Sequence, residues 1–595
     1  MDFAQRWENL YSESLRSTRT GLFYNTFSYP TKISPETIAL YIAAHTKPGD
    51  TVLDVFGGSG STGIAALMCE FPTDTMIALS KKLDIQPIWG ARNAIVYEIG
   101  KYGAFASRVL AEPPDRKEFS LAVRDLLSDV ENELSGIYDT VDDQKNEGTI
   151  RHIIYSDIVS CPQCSNEFPY FSGMVKRDPL RIDGNGVCNG CGYIGKISTF
   201  SFVSETAYDN LQGTFITRRK RVPVRIYGQS GRRKWVRDAK ESDIAQFEVS
   251  EFHDYPACSA SKKIEWGDLY RAGYHTGVTH LHHFYTKRNF LVMSILWKKT
   301  ERYSPSICNA LKLLLLSYNA THATLMTRVV VKKNSKDFVL TGAQSGVLYI
   351  SSLPVEKNII TGIKRKLRYF EETFDYLSRC SGHIEVFNSD SRYLSQQDNS
   401  VNYVFTDPPF GDFIPYAEVN QINELWLGEP TNRIEEIIIS KSQNKAVLQY
   451  QEMMTRVFNE MRRVLKDNAN ATIVFHSSKA DVWNALCAAY TDAGFVVEAT
   501  TSLEKSQASF KQIVSDGSVQ GDSLILLSKG NNKILSGESQ TVLEEVIENE
   551  ALNVDWNERK IYSSYVGKCL MYGVTIEFDA RTVYNYVAQR TGVST

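Results

Sequence analysis

Apolar residues recur along this chain in short blocks, and their spacing predicts what each block becomes. Over residues 36–46, "ETIALYIAAHT", they fall at helical intervals. "PGD" then turns the chain into "TVLDVF", whose β-branched residues predict a buried strand. A glycine-rich stretch, "GGSGSTG", leads into a helical run, "IAALMCEF", and "NAIVYEIG" predicts a second strand. The alternation then lapses over a long stretch. That stretch holds a charged helical piece (117–136) and the helical runs "KRNFLVMSILWKKTERY" and "SICNALKLLLLSYNATHATLM". It resumes with "HIEVFNS", "VNYVFTDPPF", the helix "YQEMMTRVFNEMRRVLK", the strand "ATIVFHSS", the helix "ADVWNALCAAYTDAGF" and "SLILLSK". Strands and helices in this order predict an open, mainly parallel sheet with helices on both faces.

The fold class is therefore α/β, with one domain written in two sequence segments and a large insertion between them. Residues 1–110 form its first half and 381–530 its second. Within the insertion, 111–155 starts as helix, 156–200 carries cysteine pairs, 201–280 is basic, and 281–380 is a helical return to the core. Residues 531–595 form an appendix with an acidic helix, "TVLEEVIENEAL".

Composition narrows the picture in three ways. The chain of 595 residues has room for two to four domains, and 43% hydrophobic residues supports real cores. A net charge of -3 means that any nucleic-acid contact comes from a local patch. The start, "MDFAQRWENLYSES", lacks a signal-peptide core, and the most apolar run, "ALKLLLLSY", is far below spanning length. The expectation is a cytoplasmic protein with no membrane partner.

The chemistry begins at "LDVFGGSGSTG", where Gly58, Gly60 and Gly63 have GxGxxG spacing after a strand and before a helix. Such glycines let the backbone approach a nucleotide at a helix N-terminus. Nicotinamide enzymes, flavoproteins and methyltransferases all use such turns, so the motif leaves the cofactor open. Glu98, ending the second strand, lies too far on for a tidy dinucleotide unit.

The tetrad Asp407, Pro408, Pro409 and Phe410 decides between them. The amino group of adenine or cytosine is a poor nucleophile because its lone pair is delocalised into the ring. Accepting both amino hydrogens in hydrogen bonds localises that pair. A carboxylate supplies one acceptor, and a backbone carbonyl stiffened by successive prolines supplies the other. Phe410 is the ring expected to stack on the base, a contact worth about 1–3 kcal/mol. Flipping the base out costs a few kcal/mol. The tetrad suits methylation of an exocyclic amine.

With these residues the chain resembles the amino-methyltransferase class of DNA methylases, whose signature pairs an FxGxG turn with a (D/N/S)PP(Y/F/W) tetrad. It is most similar to adenine-specific DNA methylases that carry a zinc ribbon. The resemblance implies a Rossmann-like class I methyltransferase sheet, discontinuous in sequence, with a large inserted region holding the ribbon. It implies S-adenosylmethionine bound by Asp54, Phe56, Gly58 and Gly60, with Lys32 of "YPTKISPE" near the methionine part, Glu98 on the ribose hydroxyls and Asp390 facing the adenine. It implies methyl transfer to adenine N6 in duplex DNA, in a restriction-modification or phage-defence setting with a nuclease or other subunit as partner. Cytosine N4, RNA, a protein glutamine, or a non-catalytic DNA-binding role are the alternatives. Three departures stand out: "DVF" replaces the usual DPF, Ser61 replaces threonine, and the tetrad ends in phenylalanine instead of tyrosine. Each keeps the physical role.

Cys161 and Cys164, then Cys188 and Cys191, form two CxxC knuckles, four soft ligands suited to a closed, structural, tetrahedral zinc. The ribbon either touches DNA or only staples the insertion. Downstream, "ITRRKRVPVRIYGQSGRRKWVRDAK" sets Arg218, Arg219, Lys220, Arg221, Arg232, Arg233 and Lys234 around Tyr227 and Trp235. This density predicts contact with DNA phosphates, against the plainer reading of a solvated loop. His275, His280, His282 and His283 read as capping or packing residues more readily than as a second metal site. His476, at the end of a strand, reads equally as pocket lining or as a satisfied core histidine.

Overall fold

The computed structural model describes residues 8–12, 15–17, 21–182, 184–241, 243, 255–256, 262–332, 335–505, 521–530, 537–550 and 557–591. Within the predicted basic region, 244–254 and 257–261 lie outside the described residues, as do 531–536, 551–556 and 592–595 of the appendix. The chain divides into two compact units. One comprises Met1–Pro113, Glu372–Asn420 and Pro430–Thr595; the other comprises Pro114–Glu371 and Gln421–Glu429.

The first unit is built on an eight-stranded sheet. Its strands in chain order are β1 (Leu15–Ser17), β2 (Thr51–Asp54), β3 (Asn93–Tyr97), β4 (Ile384–Phe387), β5 (Val401–Thr406), β6 (Leu465–Phe475), β7 (Phe495–Lys505) and β8 (Asp522–Lys529). Their spatial order is β1-β7-β8-β6-β5-β2-β3-β4. Pairings β4–β3, β3–β2, β2–β5 and β5–β6 are parallel, and β8 runs antiparallel to both β6 and β7. The central strands are buried on both faces, so they read as near-continuous apolar runs.

Helices cover the sheet because their apolar residues recur on one stripe. In Val447–Val464 the buried positions are Tyr450, Met454, Val457, Phe458, Met461 and Val464, a single helical face. Pro35–His45 is buried nearly all round, as an element covered on several sides must be. Two sheet strands escape the sequence reading, β1 and β7. Three residues of β1 are too few for a pattern, and "FVVEATTSLEK" mixes β-branched and polar residues without strict alternation.

The appendix belongs to this core. Helices Ser539–Glu550, Glu558–Tyr572 and Ala580–Thr591 contribute Leu543, Ile561, Tyr565, Val566 and Val583 to the apolar cluster that also holds Phe475 and Trp483. Asn484 Nδ2 donates to the Ile576 carbonyl at 2.8 Å, and the Ile576 N–H returns a bond to Asn484 Oδ1 at 3.0 Å. Each such buried side chain contributes about 1.5–3 kcal/mol, so the set rivals a whole domain's stability of about 5–15 kcal/mol. Truncation after residue 530 is therefore expected to abolish cooperative thermal unfolding of this unit, read by circular dichroism and limited proteolysis.

The second unit centres on the long strand Glu147–Ser160, which pairs antiparallel with Arg221–Ser230, Val355–Lys357, Asp139–Val141, Glu167–Pro169 and Ser201–Phe202. The helix expected over 117–136 is Arg116–Glu133, and the stretch to 155 then passes into the long strand. The apolar run starting at "SICNALK" forms helix Pro305–Tyr318 and then widens into a π-helical turn, Asn319–Ala323. No helix among the described residues is long and apolar enough to cross a membrane.

Candidate functional site

Parallel strands bring their carboxyl ends to one edge of the sheet, and loops leaving adjacent strands meet there. In the first unit β2 and β5 are adjacent, with Leu53 opposite Val404. The glycine turn follows β2 and the tetrad follows β5, so both leave the same edge. A three-way bond network joins them. Asp54 Oδ1 accepts the Phe56 N–H at 3.0 Å and the Thr406 hydroxyl at 2.7 Å, and Thr406 Oγ1 also accepts the Phe56 N–H at 3.2 Å. Burial pushes the Asp54 carboxyl above its usual range, partly offset by these donors. Asp54, expected to touch cofactor, acts here as the tie between the two loops.

The turn itself needs glycine. Gly58 and Gly60 have φ of +50° and +75°, the left-handed region that side chains avoid. At Gly57 a β-carbon would lie 2.1 Å from Val96 Cγ1. Glu98, at the end of β3, accepts the Gly58 N–H on Oε2 at 2.6 Å and the Gly100 N–H on Oε1 at 2.5 Å. Its carboxylate thus stands beside the turn.

Segment 29–32 lies over the turn. Tyr29 Cε1 would sit 3.2 Å from a β-carbon on Gly58, and its ring stacks on Tyr102 and Tyr416 with centroids 6.0 and 6.4 Å apart. Thr31 has a positive φ of 57°, uncommon for a β-branched residue, and its hydroxyl is 2.8 Å from that of Tyr416. Lys32 donates to the Phe23 carbonyl at 2.7 Å and lies 4.0 Å from the Phe27 ring centroid, so it anchors the segment. Burial raises the Tyr416 phenol strongly, with the carboxylates of Asp407 and Glu98 adding to it.

Within the tetrad, Asp407 is half-buried and Pro408 buried. The Pro409 carbonyl accepts the Tyr450 hydroxyl at 2.7 Å and the Gly411 N–H at 3.0 Å. No hydrogen bond among the described residues ends on the Pro408 carbonyl. Phe410 departs from expectation. It is 5% exposed and packs edge-on to Phe475 at 5.4 Å, because the turn drives it into the apolar cluster under the sheet edge. The half-buried aromatics beside the tetrad are Phe413 and Tyr416. His476, at the end of β6, bonds the Gly521 carbonyl through Nδ1 at 2.9 Å, with its ring 5.8 Å from that of Phe413. Asp390, expected to face an adenine, is held by Arg392, whose Nε bonds both carboxylate oxygens at 3.0 and 2.9 Å. The neighbouring Ser391 hydroxyl reaches the Val55 carbonyl, which keeps this loop against the turn. Sequence reading missed Tyr29, Thr31, Tyr102, Thr406, Phe413 and Tyr416. Of these all but Tyr102 stand in stretches it had singled out, without being assigned a role there.

In the second unit the four knuckle cysteines converge, with Cys161 and Cys191 Sγ atoms 3.8 Å apart and those of Cys164 and Cys188 3.7 Å apart. A tetrahedron with metal–sulfur bonds of about 2.3 Å has an edge of about 3.8 Å, so the donor set fits zinc. Each knuckle closes on a residue with positive φ, Ser165 at 56° and Gly192 at 76°. Backbone N–H groups of Cys191 and Gly190 draw the Cys188 thiol down to about 6.

The basic run is largely neutralised from within. Arg219 and Arg221 hold the buried Asp157 at 2.9 and 2.6 Å, Arg218 pairs with Glu205 at 2.9 Å, and Lys220 with Glu167 at 3.3 Å. Arg233 pairs with Asp142. Arg219 is itself buried, so it and Arg221 balance an interior charge where phosphate contact was expected. Tyr227 is also buried, stacked on His152. Arg232 and Lys234 remain exposed.

His282 and His283 meet at Asp209, each with Nε2 2.8 Å from Oδ2. The Thr279 and His280 N–H groups point at His283 Nδ1, at 3.1 and 3.3 Å. On His283 that favours the ring proton on Nε2, where it is donated to Asp209. The cluster is a hydrogen-bond lock. Burial lowers both imidazoles, His283 to about 4, and the lock draws Asp209 well below its usual range. The unfolded chain therefore binds protons on these groups at a higher pH than the fold does. Stability of this unit is expected to fall as pH drops from about 6.5, the unfolded histidine value, towards 4. Asp209→Ala strands two buried N–H donors and costs about 1–3 kcal/mol for each, read as a lower thermal midpoint.

A family model described as DNA methylase, of the N6/N4 methyltransferase kind, matches residues 2–70. This stretch contains the segment 29–32, the glycine turn and the helix after it. Among solved structures, the crystal structure of the antibiotic-resistance methyltransferase Kmr aligns over 28% of this chain and 73% of its own. The two are 12% identical with a TM-score of 0.16, a likeness too slight to carry an assignment. No curated protein sequence matches.

Proposed function

We propose that this chain is a DNA methyltransferase that uses S-adenosylmethionine to methylate the 6-amino group of adenine in duplex DNA. The observation that carries this reading is the Asp54–Phe56–Thr406 network, which holds the glycine turn beside the DPPF tetrad at one sheet edge. The strand order, parallel apart from the reversed β8, supports a Rossmann-like class I sheet. The N-terminal family match supports a DNA methylase.

The turn suits such a cofactor, because Gly58 presents bare backbone beneath Tyr29, Gly60 packs tightly on Ser107, and Glu98 stands where ribose hydroxyls would be held. When bound, S-adenosylmethionine supplies an electrophilic methyl group on a sulfonium. Asp407 accepts one amino hydrogen of the target base and the Pro408 carbonyl the other, which returns the nitrogen lone pair from the ring. No strong base is needed beforehand. Methyl transfer would break the cofactor's sulfur–methyl bond, leaving a neutral thioether, and would make the nitrogen acidic, with Asp407 the group that would take its proton. Phe413 and Tyr416 are the rings placed to flank an extruded base, a contact of about 1–3 kcal/mol per ring. The cysteine knuckles would hold zinc as a closed structural site that takes no part in the reaction.

Purified protein is incubated with labelled cofactor and a set of duplexes, which are then digested to nucleosides. N6-methyladenine is the expected product. N4-methylcytosine would keep the chemistry and change the base. Transfer only to RNA or protein, or none at all, overturns the reading. Methylation-sensitive sequencing of DNA from cells with and without the gene would report the motif and test the proposed defence setting.

A further inference from the structure

Strand pairing sorts the side chains around the second unit's long strand onto two faces. On one face Ile154 and Val355 join an apolar cluster. On the other lie Tyr155 and Asp157, with Pro223 directly across from Tyr155 and Arg221 across from Asp157. Glu356, opposite Ile153, shares that second face. Tyr155, Arg221, Pro223 and Glu356 all line a cavity of about 630 Å³. A further wall comes from the hairpin of strands Ser204–Asp209 and Thr214–Arg219. Its residues alternate too, so Ala207 and Ile216, a cross-strand pair, line the cavity while Thr206 is exposed on the other face. Gly277 lets a third segment close on the hairpin. It has a φ of +76°, and a β-carbon there would lie 2.4 Å from the Thr217 carbonyl oxygen.

Charge along this cavity is not fully matched. Asp157 is balanced twice over, by Arg219 at 2.9 Å and Arg221 at 2.6 Å, which leaves one guanidinium charge in excess. The carboxylates of the lining are already engaged. Glu205 pairs with Arg218 at 2.9 Å, Glu356 with Arg288 at 3.0 Å, and Asp209 is held by its two histidines. Arg221 donates Nε to Asp157, and among the described residues its two terminal nitrogens make no hydrogen bond. A half-buried guanidinium in this position is stabilised by an anion that takes its fork. Beside it the Tyr155 hydroxyl donates to Glu356 Oε2 at 3.2 Å, which fixes the ring. Ring and Pro223 together form an apolar platform next to the cationic group.

We propose that this cavity binds a nucleotide, its phosphate on Arg221 and its base against Tyr155 and Pro223. The volume falls within the range of about 300–1,000 Å³ usual for small-molecule sites. A planar guanidinium fork matches phosphate oxygens, and an aromatic face accepts any base. The nucleotide is either free or one member of a nucleic-acid strand. The inference does not depend on the methylation proposed for the first unit.

The full chain is titrated by calorimetry with the four 5′-mononucleotides, inorganic phosphate and a single-stranded oligonucleotide. Arg221→Lys keeps a charge beside Asp157 but loses the fork. Ala207→Trp fills the cavity without removing a charged group, and Thr206→Trp places the same ring on the hairpin's exposed face as a control. Wild type is expected to bind at least one mononucleotide saturably if the ligand is free, or the oligonucleotide alone if the site takes a strand. Arg221→Lys should weaken that binding about 10-fold or more, and Ala207→Trp at least as much. Thr206→Trp should leave it unchanged. Circular dichroism checks that each variant folds, and should Ala207→Trp fail to fold, Arg221→Lys decides. Binding left intact by either folded variant, phosphate bound as tightly as any nucleotide, or no binding of any probe overturns the inference. S-adenosylmethionine affinity that is the same in all four proteins leaves the proposed function standing in each of those cases.

Discussion

Asp407→Ala is expected to lower kcat for methyl transfer by at least about 10²–10³-fold, because it removes one of two acceptors that act as the amine becomes nucleophilic. Cofactor affinity should stay near wild type, since the glycine turn, Glu98 and Tyr29 are untouched. The thermal midpoint should also hold, because the half-buried side chain sits at a loop rim. Asp407→Asn should fall between the two, keeping an acceptor but losing its charge. Single-turnover kinetics with labelled cofactor, beside calorimetric cofactor binding, separates these outcomes. Loss of cofactor binding together with activity would place Asp407 in the cofactor pocket and sink its role at the amine.

Metal removal should have an effect just as large but confined to the second unit. The cluster around the knuckles is small, Val159, Phe168, Met174 and Phe200 packed with the two buried cysteines. Apolar burial on that scale does not hold a module by itself, whereas structural zinc contributes about 10–16 kcal/mol of apparent binding energy. Purified chain is expected to carry one zinc, read by elemental analysis. Strong chelation or Cys188→Ser should open residues 156–200 to proteolysis and hydrogen exchange. Cofactor binding by the first unit should persist. A metal-free chain with the same protease pattern would show that the four thiols need no ion.

The residues proposed to carry chemistry were legible because each is a local departure from ordinary sequence. Glycines at 58 and 60 follow a strand, two prolines follow an acid, and two CxxC pairs repeat. Tyr29, Phe413 and Tyr416 were not legible, since an aromatic beside a site looks in sequence like one in a core. Phe410 shows the converse. Its place in the tetrad suggested an open ring, yet the turn after Pro409 directs it under Phe475 and His476. The basic run misled for a similar reason. Counting cations along the chain cannot reveal that Asp157, Glu205 and Glu167 arrive from other strands, and Asp142 from a turn, to meet them.

By itself the sequence determined the alternating elements, the two motifs and the cysteine knuckles, because periodicity and backbone restriction act over a few neighbouring residues. Only the tertiary structure decided that β2 and β5 lie side by side, that the appendix completes the core, and which charges are already matched. Those outcomes depend on pairing between residues from tens to hundreds of positions apart. No local pattern encodes such a partner, and the burial that makes the pairing favourable exists only once the chain has closed on itself.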